Sequence, residues 1–279
     1  MLIAIFDAAM SNAQSGYIKV KNAQLHYLQM GSGKQVLLAF HGYANDAGLF
    51  LPFAKKLGDK YTIISVDMPH HGKSQWQSGE LSLPMMQELL QHLQNTYDVK
   101  KISLLGYSMG GRLCLKLVEC CHADIDKVVL MASDGLRFNF FYYFLTRTVI
   151  GKGLFRSFVE KPAKYFPLIE RLKRWKWIDE SRYKFAMQYL QTDEKRTFLY
   201  NVWPAMSALI PLTSKVKANI RQQQIPVHIF MGAYDRMIPL KLAESFCKDL
   251  PQAELHILQK GHRLMNEECV AEISNCLLS

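Results

Sequence analysis

No run of apolar residues in this chain approaches the roughly 18 that a membrane-crossing helix needs. There is no internal repeat and no low-complexity linker, and no two cysteines stand in C-x-x-C spacing. The six cysteines, Cys114, Cys120, Cys121, Cys247, Cys269 and Cys276, fall mostly in stretches with helical patterning. That placement predicts reduced, buried thiols in a cytoplasmic protein and argues against a disulfide framework or a metal site. The opening MLIAIFDAAM has no basic leading segment and carries Asp7 inside its apolar stretch, so it makes a poor secretory signal. Charge is modest as well: 21% of the 279 residues are charged and 49% hydrophobic, which excludes a disordered chain and fits one large globular domain.

What is present is an alternation of strands and helices. YIKV and AQLHYLQM read as a hairpin, and QVLLAF, YTIISVD, KISLLG, KVVLMAS, VHIFMG and ELHILQ as further strands. Between them, Leu49, Phe50, Phe53, Ala54 and Leu57 share one helical face, as do Met86, Leu89, Leu90, Leu93 and Tyr97. A last stripe runs through Cys269, Val270, Ile273, Cys276 and Leu277. Short, unpatterned strands separated by helices predict a mostly parallel central sheet with helices on both faces.

One junction carries chemistry. In SLLGYSMGGRLCLKL a strand gives way to a helix at Ser108, with Gly106 and Gly110 two places to either side. A nucleophile must project above the carboxyl end of a central strand, which requires a tight turn, and small residues relieve its crowding. The helix that follows points its free N–H groups and positive dipole at Ser108.

From about residue 17 onward the sequence resembles the α/β-hydrolase superfamily. FHGYAND is similar to the family's His-Gly oxyanion loop, and DMPHHGKS to its D-x-P-G-x-G-x-S loop, with His70 where glycine is usual. GAYDRMIP resembles the segment bearing the family's acid, and KGHRLMNEE the loop bearing its histidine. The resemblance implies Ser108 as nucleophile, His262 as general base and Asp235 as the orienting acid, in the family's chain order. Asp134, after the sixth predicted strand, occupies the alternative acid position. Backbone N–H groups of Tyr43 and Met109 are the implied oxyanion donors. No cofactor is implied. His41, His70 and His71 lack a third ligand at sensible spacing, so no metal is expected and loop-organising hydrogen bonds are.

Residues 136–224 stand apart. They hold 17 Lys and Arg against 6 Asp and Glu, a charge of +11, which leaves −1 for the rest of a chain whose net charge is +10. The segment includes FNFFYYFL, and it sits where the superfamily inserts a helical lid between strands six and seven. The predicted organisation is therefore a hydrolase core over 1–135 and 225–279 with a lid over 136–224. Phe138 and Phe141 are candidate substrate contacts for an apolar acyl group, and the basic surface suits an anionic substrate or a membrane surface. Nucleic acid is not expected, since no binding module is recognisable. Arg112, in GYSMGGR, makes the elbow similar to that of the menaquinone-pathway family that eliminates pyruvate, where an arginine in this place helps bind an anionic substrate. The overall expectation is a serine hydrolase of carboxylic esters or thioesters. A pyruvate-eliminating lyase and a non-catalytic ligand-sensing module are the alternatives.

Overall fold

The structure is a computed structural model that describes residues 13–279 except 78, 179, 181, 182, 185, 186 and 189–191. The opening MLIAIFDAAM lies outside the described residues. The strands are β1 (Gln14–Val20), β2 (Ala23–Met30), β3 (Gln35–Phe40), β4 (Tyr61–Val66), β5 (Ile102–Tyr107), β6 (Ile125–Met131), β7 (Val227–Gly232) and β8 (Ala253–Leu258). They form one eight-stranded sheet in the order β1-β2-β4-β3-β5-β6-β7-β8. β1, β2 and β4 pair antiparallel in succession, and every later pairing is parallel.

The helices are α1 (Leu51–Leu57), α2 (Leu83–Tyr97), α3 (Met109–Cys121), α4 (Phe140–Arg147), α5 (Val149–Glu160), α6 (Phe166–Arg174), α7 (Asp193–Ala205), α8 (Thr213–Gln223), α9 (Leu240–Cys247) and α10 (Glu267–Leu278). β4 and β5 are buried at every residue, as unpatterned strands covered on both faces must be. β1 alternates only toward its end, where Ile18 and Val20 are buried and Lys19 is exposed, as on an edge strand. No described helix is long and apolar enough to cross a membrane.

Two compact units emerge. The first comprises the chain up to Gln77, Ser82–Phe138 and Leu209–Ser279; the second comprises Ser78–Leu81 and Asn139–Ala208. Residues 209–224, grouped with the insertion on sequence grounds, thus pack with the sheet. The reason lies in α8: Val216 and Ile220 are fully buried, and the Asn219 side-chain amide donates to the carbonyls of Val118 and Glu119 in α3. The second unit has its own aromatic centre. Phe155 packs on Tyr200 and Trp203, and the Tyr142 hydroxyl donates to the Trp203 carbonyl. Its helices are capped from within, α4 by Asn139, α5 by Thr148 and α7 by Thr192.

Candidate active site

The turn after β5 is strained where chemistry would need it. Ser108 has φ +51 and ψ −116, a left-handed backbone that a residue with a Cβ rarely adopts. The flanking glycines are required by contact rather than by φ. A Cβ on Gly110 would lie 2.0 Å from the Phe40 carbonyl oxygen, and one on Gly106 would lie 2.6 Å from the Gly111 Cα. α3 can therefore start directly against β3 only if both positions are bare. The Ser108 N–H donates to the Met131 carbonyl, and its own carbonyl accepts from Gly111 and Asp134, so the strained residue is held from three sides.

Two further loops converge on the Ser108 side chain. β5, β7 and β8 all run parallel, so the segments that follow them emerge at the same end of the sheet. His262 Nε2 lies 3.0 Å from Ser108 Oγ, and His262 Nδ1 lies 2.7 Å from Asp235 Oδ2. An ionised carboxylate only accepts, so the Nδ1 site carries the proton and Nε2 offers its lone pair to the serine hydroxyl. The other carboxylate oxygen of Asp235 accepts from the N–H groups of Met237 and Ile238, and the side chain is fully buried. The loops are laced together, the Tyr234 N–H donating to Lys260 O. A Cβ on Gly232 would lie 2.2 Å from the Gly261 carbonyl oxygen, so the acid's loop admits only glycine there.

Tyr107, which the sequence reading passed over, also contributes. Its hydroxyl donates to the His262 carbonyl at 3.2 Å and its ring lies against the imidazole. Burial, with the Asp235 charge second, pushes the phenol up to about 12, so it stays a neutral donor. Its only signal in the sequence is its place inside the elbow itself.

The loop after β3 is held by histidines. His41 is fully buried; its Nδ1–H donates to Gly42 O and its Nε2 accepts from Met68 N–H. His71 repeats the pattern, donating from Nδ1 to Pro69 O and accepting at Nε2 from Ala44 N–H. The two rings meet edge to face with centroids 4.9 Å apart. Each imidazole must be neutral to accept at Nε2, and burial drives both below their ordinary range, His41 to about 3, with the charge of His71 adding to the effect. Asp67 completes the staple. Its carboxylate accepts from the N–H groups of Ala47 and Lys73 and meets His26 Nδ1 at 2.7 Å, while Ser74 Oγ donates to its carbonyl. His70 takes φ +64, the conformation for which glycine is the usual choice.

Tyr43 and Met109 follow neighbouring strands. Phe40 and Gly106 are paired across β3 and β5, and each backbone N–H in question lies three residues further on. Met109 opens α3, so its N–H has no acceptor within the helix. The two candidate acids separate cleanly: Asp235 meets His262, whereas Asp134 Oδ2 lies 3.5 Å from Arg112 Nη1 and its Oδ1 accepts from Gly135 N–H. Arg112 is 5% exposed. Phe138 and Phe141 are both surface residues, 49% and 63% exposed.

Residues 35–268, which take in all of these segments, match the alpha/beta hydrolase fold family. The chain is 24% identical over 264 residues to the uncharacterized hydrolase YugF of Bacillus subtilis, covering 87% of this chain and 88% of that one. It is 24% identical over 268 residues to a 2-hydroxy-6-oxononadienedioate/2-hydroxy-6-oxononatrienedioate hydrolase of Paraburkholderia phymatum, covering 90% of each. A thermophilic esterase from Thermogutta terrifontis superposes with a TM-score of 0.65 at 18% identity, over 95% of this chain and 97% of that one. Parallel sheet, strained elbow and the three converging loops are thus those of a known fold, and the chain belongs to the α/β-hydrolase family.

Proposed function

We propose that the protein is a serine hydrolase cleaving carboxylic esters or thioesters of small to medium apolar acyl groups. The observation that carries this reading is the unbroken relay from Asp235 Oδ2 through His262 to Ser108 Oγ at 2.7 and 3.0 Å, on a strained elbow. His262 Nε2 takes the Ser108 proton as Oγ attacks the carbonyl carbon, and the carbonyl π electrons move onto its oxygen. The N–H groups of Tyr43 and Met109 receive that oxyanion, as the residue after the nucleophile and the loop after β3 do in this fold. Asp235 holds the Nδ1–H tautomer and stabilises the imidazolium. His262 then protonates the leaving alcohol or thiol, and water, deprotonated by the same imidazole, releases the acid from the acyl enzyme.

The burial of Arg112 and its pairing with Asp134 argue against the lyase alternative, in which that arginine meets an anionic substrate. The test is covalent. A fluorophosphonate probe is expected on Ser108 by mass spectrometry and absent from Ser108→Ala. A folded sample that takes up no probe would sink the hydrolase reading and favour a ligand-sensing module. The acyl preference is read from kcat/KM for acetate through decanoate esters. Each added pair of methylenes should raise it roughly tenfold until the acyl site is full, at about 0.8 kcal/mol per CH₂.

The inserted unit supports a second, narrower proposal, contact with an anionic membrane surface. Val149, Ile150, Trp175 and Trp177 are 90%, 72%, 55% and 71% exposed in a segment rich in Lys and Arg. Sedimentation with anionic vesicles at low salt should carry the protein down. Salt should weaken this, since exposed charges are screened beyond about 10 Å at 0.1 M. Equal partition onto neutral and anionic vesicles would remove the charge from the account.

A further inference from the structure

The edge of the sheet away from the hairpin carries a second cluster of reactive side chains. β7 and β8 are parallel neighbours with His228 opposite Glu254 and Phe230 opposite His256. Period two then puts His228, Phe230, Glu254, His256 and Leu258 on one face. That face meets α10, because Phe230 and Leu258 share a core with Ile273 and Leu277. Cys276, three residues beyond Ile273 and seven beyond the buried Cys269, lies on the same side of α10.

The donor atoms converge. His228 Nδ1 and His256 Nε2 are 3.3 Å apart, and Glu254 Oε2 lies 3.3 Å from the first and 3.7 Å from the second. Cys276 Sγ lies 3.9 Å from His256 Nε2, and the ligand atoms of His228, His256 and Cys276 all fall within 4.8 Å of one another. A tetrahedral zinc with Zn–N near 2.0–2.1 Å and Zn–S near 2.3 Å separates two nitrogens by about 3.3 Å and nitrogen from sulfur by about 3.6 Å. The histidine pair already has the required spacing, and the Cys276–His256 separation exceeds it by a few tenths of an ångström. His228 and Cys276, within 4.8 Å, close the remaining gap by a rotation of the Cys276 side chain. The His256 ring is fixed for the task, stacked on buried Phe230 with centroids 4.3 Å apart and planes 10° apart.

We propose that His228, His256 and Cys276 form a structural zinc site that clips α10 to the edge strand β8, with the exposed Glu254 carboxylate, already beside both histidines, turning in as the fourth ligand. Two imidazoles and a thiolate select a borderline-soft ion over magnesium or calcium. The thiolate and the carboxylate together neutralise its two charges; Cys276 loses its proton to solvent as the Zn–S bond forms, with no change of oxidation state. Of the neighbouring charges, Lys127, whose ammonium donates to the Cys276 carbonyl, opposes the cation, and Glu272, one turn before Cys276, favours it. The site is separate from the reaction. His228 and Glu254 stand second in their strands, whereas Asp235 and His262 follow the opposite ends of those strands.

The experiment uses the full chain, stripped with a chelator, desalted and titrated with Zn²⁺. One zinc per chain should bind, and at a hundredfold excess over Kd the Tm should rise by about 5 °C. Co²⁺ in its place should show the near-ultraviolet thiolate-to-cobalt band and the intense visible bands of a four-coordinate ion. Cys276→Ser should abolish the thiolate band and weaken zinc binding more than tenfold, His256→Asn should weaken it likewise, and Ser108→Ala should bind as the parent does. Circular dichroism of each metal-free variant keeps a folding defect distinct from a lost ligand. Zinc binding that survives Cys276→Ser unchanged, a cobalt spectrum without the thiolate band, or zinc lost only in His262→Asn would overturn the assignment. Each would leave the cluster as a hydrogen-bonded histidine pair.

Discussion

The first unit buries polar groups and the second exposes apolar ones. In the first, His26, His41, Asp67, His71 and Asp235 are all buried, and each is held by hydrogen bonds. In the second, Phe140, Phe141, Val149, Ile150 and Trp177 all exceed 60% exposure. A buried polar group must be satisfied to within a few tenths of an ångström, so the first unit has little tolerance for change. An exposed aromatic surface costs little to leave loose, and it suits adaptable contact with an apolar or membranous partner. The Ser108 relay and the apolar contact proposed for the second unit thus draw on opposite uses of the same side-chain chemistry, and substitutions in the two units should differ accordingly.

The sharpest break in that comparison lies in the two aspartates of the first unit. In Asp235→Asn the N–H groups of Met237 and Ile238 hold the amide oxygen and the NH₂ donor faces His262 Nδ1, forcing the wrong tautomer, so kcat on an ester substrate should fall by roughly 10⁴. Asp134→Asn touches Arg112 instead and should cost about tenfold or less. Stopped assays of both purified variants decide the ranking, and the reverse order would move the acid to the end of β6.

These two residues also mark how far the sequence could be read. Ser108, Asp235 and His262 each sit in a short motif after a strand, and parallel strands necessarily deliver such motifs to one end of the sheet. Their meeting was therefore legible. The partners of His41 and His71 were not, because an imidazole's acceptor is chosen by how two loops interlock rather than by spacing along either. The same holds for His228, Glu254, His256 and Cys276, which no local spacing connects. They meet only once strand register and the rotation of α10 are known. The boundary at Leu209 was hidden for a related reason. α8 carries three of the segment's basic residues, so its charge resembles the insertion, while its buried face belongs to the sheet.

A second break concerns close packing. A methyl group on Gly110 would need to share space with the Phe40 carbonyl at 2.0 Å and the His41 carbonyl at 2.7 Å, and neither is a side chain that can swing away. Gly110→Ala should destabilise the protein by about 3 kcal/mol and lower Tm by roughly 5 °C in a thermal melt. An unchanged Tm would mean that the elbow is far softer than its contacts imply.

Acid should find the same unit. His41 and His71 titrate near 6.5 in the unfolded chain and lower in the folded one, because burial disfavours their charged forms. Below pH 6.5 the unfolded chain therefore binds more protons, and stability falls as pH falls, down to about 3 for His41. The slope is about 1.4 kcal/mol per pH unit from that residue. Urea midpoints at pH 7.5, 6.5, 5.5 and 4.5 measure it, and His41→Asn should flatten the dependence even if it lowers the plateau. A variant as acid-sensitive as the parent would place the titrating group elsewhere.

The smallest expected effect tests the slack of the second unit. Gly153 lies inside α5, and a Cβ built there meets nothing within 4 Å. Two residues earlier, a Cβ on Gly151 would come 1.8 Å from the Phe144 carbonyl oxygen, so the same helix holds one tight glycine and one open one. In a helix interior glycine costs about 1 kcal/mol relative to alanine, through the backbone freedom it loses on folding. Gly153→Ala should therefore raise the stability of α5 by roughly that amount, whereas Gly151→Ala should lower it. Because the substitution stiffens the unit without touching the Ser108 relay, the rate of fluorophosphonate labelling should be unchanged. Hydrogen exchange at the amides of α5 reads the gain directly, slowing about fivefold where local opening governs exchange. If Gly153→Ala were destabilising, the exposed face of α5 would have to be occupied rather than open.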